Sequence, residues 1–176
     1  SNMALHATAD LPGVLGQWQA SLAVGGFVMF SCLGPDSFVE LRPIYARRGW
    51  GRPAPDWWDM HDIGDLVLQA GLADPVMDQE RLRLTWASPE SLLADLRALG
   101  GNLAPSRFGG LRGRQWRQQL LAELDGLRDA QGRLGLTLEL VFGHAFKAAP
   151  RLSVAAETVV SVDALRASLR QGRSGG

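Results

Sequence analysis

The sequence predicts an α/β fold, the C-terminal part of a doubly wound, Rossmann-like sheet that is mostly parallel, with an antiparallel edge strand and a helical insertion before the last strand. The apolar run FVMFSCL is bounded by glycines, which is typical of a strand buried on both faces of a parallel sheet. Two later strands flank a long helical segment and could pair antiparallel at the sheet edge. No glycine-rich nucleotide-binding motif is present, so the first half of such a sheet is not expected in these residues.

The first unit is predicted to be helix, strand, helix. Asp10 precedes an apolar-periodic segment with a proline in its first turn, and this helix is expected to end near Leu22. The FVMFSCL strand stops at Gly34-Pro35, and Asp36 is predicted to cap the next helix.

Helix caps and stop residues in the sequence predict the bounds of the later elements. These predicted elements are a helix from Asp59 to Ala70, a strand over 75–86, a helix opened by Ser88 that runs to 99, a helix over 113–130 and a last strand over 134–146. Beyond these, a short strand at 157–160, a small helix capped by Asp163 and a frayed end are expected.

Composition excludes several function classes. The formal net charge is zero, so neither nucleic-acid binding nor attraction to a membrane surface is expected. Residues 97–133 form a basic block with seven Arg against three acids. The single cysteine, Cys32, cannot form an internal disulfide and is interpreted as a small apolar residue, which favours a reducing cytoplasm. The longest apolar stretch, near 22–33, is about half of what a membrane-spanning helix needs.

Four segments, SNMALHATADLPGVLGQW, GGFVMFSCLGPDSFVELR, MHDIGDLVLQAGLADPVMD and GHAFK, occur in this order. In order and spacing they resemble the C-terminal part of the biotin-pathway methyltransferases that esterify malonyl-acyl carrier protein. The resemblance implies a class I S-adenosylmethionine-dependent methyltransferase sheet with an antiparallel last strand. A complex I assembly factor of the same fold, described as a protein-arginine hydroxylase, has similar segments, but the third segment follows the biotin-pathway form most closely.

The resemblance also implies a domain layout. Residues 1–147 would form the C-terminal part of the methyltransferase domain, with a helical lid at about 88–131, and 148–176 would form a partly disordered extension. The glycine-rich loop and the acidic residue that holds the ribose lie upstream of the matched part in this family. This chain alone is therefore expected to be inactive.

By the same resemblance, Ser1, Asn2, Met3 and His6 lie beside the methyl donor, S-adenosylmethionine. The alternative for His6 is a surface or packing residue. No catalytic residue is expected, because a carboxylate is already a nucleophile at neutral pH and proximity carries most of the rate.

Two groups of residues are candidates for binding the substrate, a malonyl group on acyl carrier protein. Ser31, Gly34 and Asp36 follow a strand, where open α/β folds place ligands, although this turn could merely redirect the chain. Arg107, Arg112, Arg114 and Arg117 lie in the helical insertion, where they could steer an acidic carrier protein or form a solvated helix face.

Two further hypotheses concern metals and partners. Asp59, His61, Asp62 and Asp65 have spacings compatible with a metal, but helix capping and the helix dipole explain the acids better, so no metal is expected. An unpaired apolar strand edge along FVMFSCL would be a template for another chain, so a noncatalytic module that forms a homodimer through this edge is the alternative function.

Overall fold

The computed structural model describes residues 1–100, 102, 104 and 106–149. Three strands form one sheet: β1 (Phe27–Leu33), β2 (Ala73–Trp86) and β3 (Leu134–Phe146). The expected elements beyond residue 149, at 157–160 and at Asp163, lie outside the described residues, as does the predicted extension over 148–176 except its first two residues.

The strand order is β1-β3-β2, and β3 is antiparallel to both neighbours. The antiparallel direction of the last strand is therefore confirmed, whereas its predicted edge position is wrong. The physical reason is that β3 pairs along one backbone edge with β1 and along the other with β2, so the N–H and C=O groups of both its edges are hydrogen-bonded. The pairs among these three strands are all antiparallel, although β1 and β2 point the same way.

Helices cover both faces of the sheet. The helices are α1 (Leu11–Ser21), α2 (Leu41–Arg48), α3 (Met60–Gln69), α4 (Pro89–Ala98) and α5 (Arg114–Asp125). One core, which includes Leu134 and Leu136, packs β3 against α2, α4 and α5. The other includes Val141 and Ala145 and packs the opposite face against α1 and α3. The result is a three-layer α/β arrangement.

Most predicted helix caps are confirmed. The Asp10 carboxylate accepts from the Gly13 N–H at 2.9 Å, and the Ser88 hydroxyl accepts from the Ser91 N–H at 3.2 Å. Gly71 follows α3 in the left-handed region with φ 85°. Asp36 is the exception, because α2 begins five residues later, at Leu41, and Glu40 precedes it.

The prediction that FVMFSCL is buried on both faces is wrong for the first half of β1. Phe27 and Met29 are 56% and 62% exposed, whereas the second half is buried. These two side chains lie beside Phe146 and His144 of β3, and His144 pairs across to Val76 of β2, which is 65% exposed. We call this surface, made by Phe27, Met29, Val76, Phe142, His144 and Phe146, the aromatic face. Among the described helices, none has the length and apolar character needed to cross a membrane.

Candidate functional site

The candidate site lies at the carboxyl end of β1, where a turn leads from Gly34 toward α2. The Gly34 N–H donates to the Glu139 carbonyl at 2.9 Å, and the Phe38 N–H donates to the Thr137 carbonyl at 2.7 Å. Phe38 has φ 57°, which is uncommon for a bulky residue and persists only where the surroundings fix it. Bonds to β3 therefore hold this strand-end turn in one conformation.

The N-terminal residues lie along the outer edge of β1, next to this turn. The Ser1 nitrogen donates to the Met29 carbonyl at 2.8 Å, and the Ser31 N–H donates to the Ser1 carbonyl at 2.9 Å. One residue bonded to positions i and i+2 of its neighbour in this way is the pattern of a parallel pair. The Ser31 hydroxyl also accepts from the Met3 N–H at 3.0 Å and donates to Asn2 Oδ1 at 2.7 Å. The predicted donor-side residues 1–3 and the predicted substrate residue Ser31 are thus in contact.

His6 lies in a short 3-10 helix, Leu5–Ala7, which no pattern in the sequence predicted. Its ring packs edge-on against Trp57, with centroids 6.3 Å apart, and the Trp57 indole N–H donates to the His6 carbonyl at 3.2 Å. Trp57 also packs against Phe38 of the strand-end turn, at 5.9 Å between ring centroids. His6 Nδ1 is buried without a hydrogen-bond partner among the described residues, and burial lowers the pKa of His6.

A polar network supports the strand-end turn from β2 and β3. The Asp36 N–H donates to Glu139 Oε2 at 2.8 Å, so Asp36 is anchored to β3 instead of capping a helix. The Asp36 carboxylate pairs with Arg81, whose Nε also lies 3.4 Å from Glu139 Oε1. The Glu40 carboxylate accepts from the Thr137 N–H at 2.9 Å. The sequence signal for this network was a glutamate inside the apolar LGLTLELVF strand.

Two of the four arginines proposed for docking are used internally. Arg112 donates to the Trp50 carbonyl at 2.9 Å, and its guanidinium lies over the rings of Phe108 and Trp116 at 4.0 and 5.1 Å from their centroids. Arg107 donates to the Asn102 carbonyl at 3.1 Å. Arg114 and Arg117 are exposed on α5. In the described part of the chain, no hydrogen bond or ion pair joins these four arginines to the strand-end turn.

Among the residues considered for a metal, Asp59 has a structural role. Asp59 is the N-cap of α3, and its carboxylate accepts from the His61 N–H at 2.8 Å. This hydrogen bond is the main cause that lowers the pKa of Asp59. Across residues 1–100, 102, 104 and 106–149, no group of three or more His, Cys, Asp or Glu is placed to hold a metal ion. Cys32 is buried, and burial raises the pKa of its thiol to about 11, so it stays a neutral thiol.

Curated relatives align with most of the chain. It is 41% identical over 154 residues to the malonyl-[acyl-carrier protein] O-methyltransferase of Gallionella capsiferriformans, covering 87% of this chain and 53% of that protein. The protein of the same name in Laribacter hongkongensis is 41% identical, over 86% of this chain and 51% of the relative. Malonyl-[acyl-carrier protein] O-methyltransferase 1 of Coxiella burnetii is 40% identical, over 83% and 51%. The chain spans about half the length of these relatives. No family model matches.

Solved structures support the fold class. A protein of Bacillus halodurans described as a candidate methyltransferase superposes with TM-score 0.50 and 12% identity, over 84% of this chain and 68% of that one. The YcgJ protein of Bacillus subtilis gives TM-score 0.50 and 10% identity, over 85% and 62%. At these identities the likeness concerns the fold, and the predicted Rossmann-like α/β class is confirmed.

Proposed function

Because its curated relatives over most of its length are malonyl-[acyl-carrier protein] O-methyltransferases, we propose that this chain is the acceptor-side portion of such an enzyme, acting in biotin synthesis in the cytoplasm. The reaction would move a methyl group to the free carboxylate of a malonyl group on acyl carrier protein. The single observation that carries the proposal is 41% identity across 87% of the chain. The same relatives favour a methyltransferase over the arginine hydroxylase type.

The described residues fit one side of a donor site. The buried, unpaired Nδ1 of His6 fits a bound group that supplies one hydrogen-bond partner, and Ser1 to Met3 lie within hydrogen-bonding reach of Ser31. S-adenosylmethionine, when bound, supplies an electrophilic methyl group on a sulfonium. Ser1, Asn2, Met3 and His6 would then border the donor, and Ser31, Gly34 and Asp36 the acceptor.

This arrangement requires no general base. The malonyl carboxylate is ionised at neutral pH, so the residues around it need only bind it, orient it and exclude water. Trp57 and Phe38 are suited to exclude water, because their rings pack together at the strand-end turn. Arg81 pairs with Asp36 and so weakens the repulsion that this carboxylate would exert on an anionic acceptor.

The carrier protein would meet α5. Arg114 and Arg117 are exposed there, and Arg107 and Arg112, which precede this helix in the chain, add positive charge. Acyl carrier proteins are acidic, so basic residues at this place would raise the rate of encounter more than the affinity.

One experiment with three arms tests this proposal. Calorimetry of the chain with S-adenosylmethionine is expected to show no micromolar binding, since the chain covers half the relatives' length. A chimera in which this chain replaces the matched half of the Gallionella relative is expected to form the methyl ester of malonyl-acyl carrier protein. Changing Arg114 and Arg117 of this chimera to Glu should lower the rate of ester formation by about tenfold at low salt. If neither the chimera nor the chain methylates malonyl-acyl carrier protein, the proposed function is refuted.

A second candidate function, a noncatalytic module that forms a homodimer, is favoured by the exposed edge of β1. The described backbone bonds at this outer edge are those to Ser1, and a cavity of about 280 Å³ lined by Trp18, Leu22 and Met29 opens beside it. An exposed edge with exposed apolar side chains is a template for another strand.

A further inference from the structure

Glu139 is a buried carboxylate in the middle of the central strand, 2% exposed. Burying a charged carboxylate is unfavourable unless hydrogen bonds and an opposite charge compensate it. Its two oxygens face the Asp36 N–H, at 2.8 Å, and the Arg81 guanidinium, at 3.4 Å. A leucine would fill this place on an apolar strand without that cost, so the bonds of Glu139 call for an explanation beyond packing.

The backbone of Glu139 holds the same turn. Its carbonyl accepts from the Gly34 N–H at 2.9 Å and from the Ser37 hydroxyl at 3.0 Å, and its N–H donates to that hydroxyl at 3.0 Å. Ser37 is itself buried, at 1% exposed. A side chain on Gly34 would place its Cβ 2.5 Å from Glu139 Oε2, so the carboxylate occupies the space that a larger residue would need. One residue of β3 therefore fixes Gly34, Asp36 and Ser37.

We infer that Glu139 is a positioning residue, which holds the strand-end turn so that the acceptor carboxylate meets a fixed surface. The inference rests on the proposed function for the identity of the ligand. Through Asp36 N–H and Arg81, Glu139 sets both the course of the backbone and the direction of the Asp36 carboxylate. Because methyl transfer to a carboxylate depends on alignment, a turn that moves by about 1 Å would slow the reaction without changing its chemistry.

Amide hydrogen exchange measures how strongly Glu139 holds the strand-end turn, because the Asp36 N–H donates to the Glu139 carboxylate. By NMR on this chain, the Asp36 amide in Glu139→Leu is expected to exchange at least about tenfold faster than in the parent, and in Glu139→Gln less than about threefold faster, because an amide oxygen still accepts its hydrogen bond. Glu123→Gln is the matched control, since Glu123 pairs with Arg47 and Arg48 and has no hydrogen bond to residues 34–38 in the described part of the chain. If Glu139→Leu does not fold, Ser37→Ala replaces it, because it removes the hydroxyl bridge to Glu139.

Activity of the chimera separates positioning from general stability. In Glu139→Leu, kcat for malonyl-acyl carrier protein should fall by about 10 to 100-fold, while the Kd for S-adenosylmethionine stays within about twofold, and Glu139→Gln should restore most of the rate. Unchanged Asp36 exchange, or equal losses of kcat and donor affinity, would overturn the inference. If the parent chimera forms no ester, the proposed function fails, and the exchange rates alone decide whether Glu139 holds the turn.

Discussion

His6 combines a buried ring nitrogen with a lowered pKa, caused by burial. The unfolded chain takes up the proton near pH 6.5, and the folded chain only at lower pH. Stability is therefore full above the unfolded pKa and falls as the pH drops from 6.5 toward the folded value.

We predict that the urea midpoint of the parent falls as the pH is lowered from about 7.5 to about 5.5, and that the urea midpoint of His6→Gln falls less over this range. Urea titrations followed by circular dichroism measure this difference. Equal slopes for the parent and His6→Gln would show that His6 is protonated as readily in the folded chain as in the unfolded one.

Gly143 lies beneath the Phe30 ring, in the pair that joins β1 to β3. A Cβ at this position would lie 2.1 Å from the ring, so Gly143→Ala should force the ring aside and lower the free energy of unfolding by about 1 to 3 kcal/mol. Gly16→Ala in α1 is the matched control, because a Cβ there meets nothing within 4 Å. It should raise stability by up to about 1 kcal/mol. Equal effects of both changes in urea unfolding would contradict the packing of Phe30.

At the residue scale, sequence patterns found only part of the candidate site. Ser31 and Gly34 were predictable, because a turn after a buried strand is where ligands of open α/β sheets lie. Trp57, Arg81 and Glu139 were not, since each comes from a loop or strand distant in sequence and reaches the turn only through tertiary contacts. The sequence does show Glu139 as a charged residue within an apolar strand, but it does not show that the Asp36 N–H is its hydrogen-bond partner.

Helix α3 begins at a cap whose strength can be measured. Asp59→Ala removes the acceptor of the His61 N–H and should lower the free energy of unfolding by about 1 kcal/mol near neutral pH. Asp65→Ala, an exposed acid on the same helix, should change it by less than about 0.5 kcal/mol. Because the hydrogen bond from His61 lowers the pKa of Asp59, the cap is effective above the ordinary carboxyl range and is lost as the pH falls through the folded pKa. The melting temperatures of the parent and Asp59→Ala should therefore converge as the pH is lowered. A difference between these two melting temperatures that does not change with pH would contradict this cap.

Elements were predicted best where a local signal fixed them. The bounds of β3 match the predicted range, and α1, α3 and α4 begin after the expected caps. The predicted start of α2 was wrong because the Asp36 N–H donates a hydrogen bond to the Glu139 carboxylate. No local sequence pattern reveals this bond, since Glu139 lies on β3, far along the chain. The exposed first half of β1 was missed for a similar reason, since an apolar run does not tell which neighbours are present to cover it.

At the scale of the whole molecule, the state of association in solution distinguishes the two candidate functions. If the chain forms a homodimer along the outer edge of β1, light scattering at high concentration should give twice the monomer mass. Met29→Lys, at an exposed methionine of that strand, should restore the monomer. Leu68→Lys, at an exposed leucine of α3, is the control and should leave the mass unchanged. A monomer at every concentration would remove the main support for the interaction module.

The central place of β3 also fixes when the sheet can form during synthesis. β1 pairs with β3 over Phe27–Leu33, and β2 pairs with β3 over Ala73–Trp86. Since the chain leaves the ribosome from its N-terminal end, β1 and β2 emerge before the strand that joins them, and local helices are what can form in the interval. The sheet of this region therefore closes only after β3 has emerged, and until then the apolar strand β1 lacks its partner strand and is open to pairing with other chains.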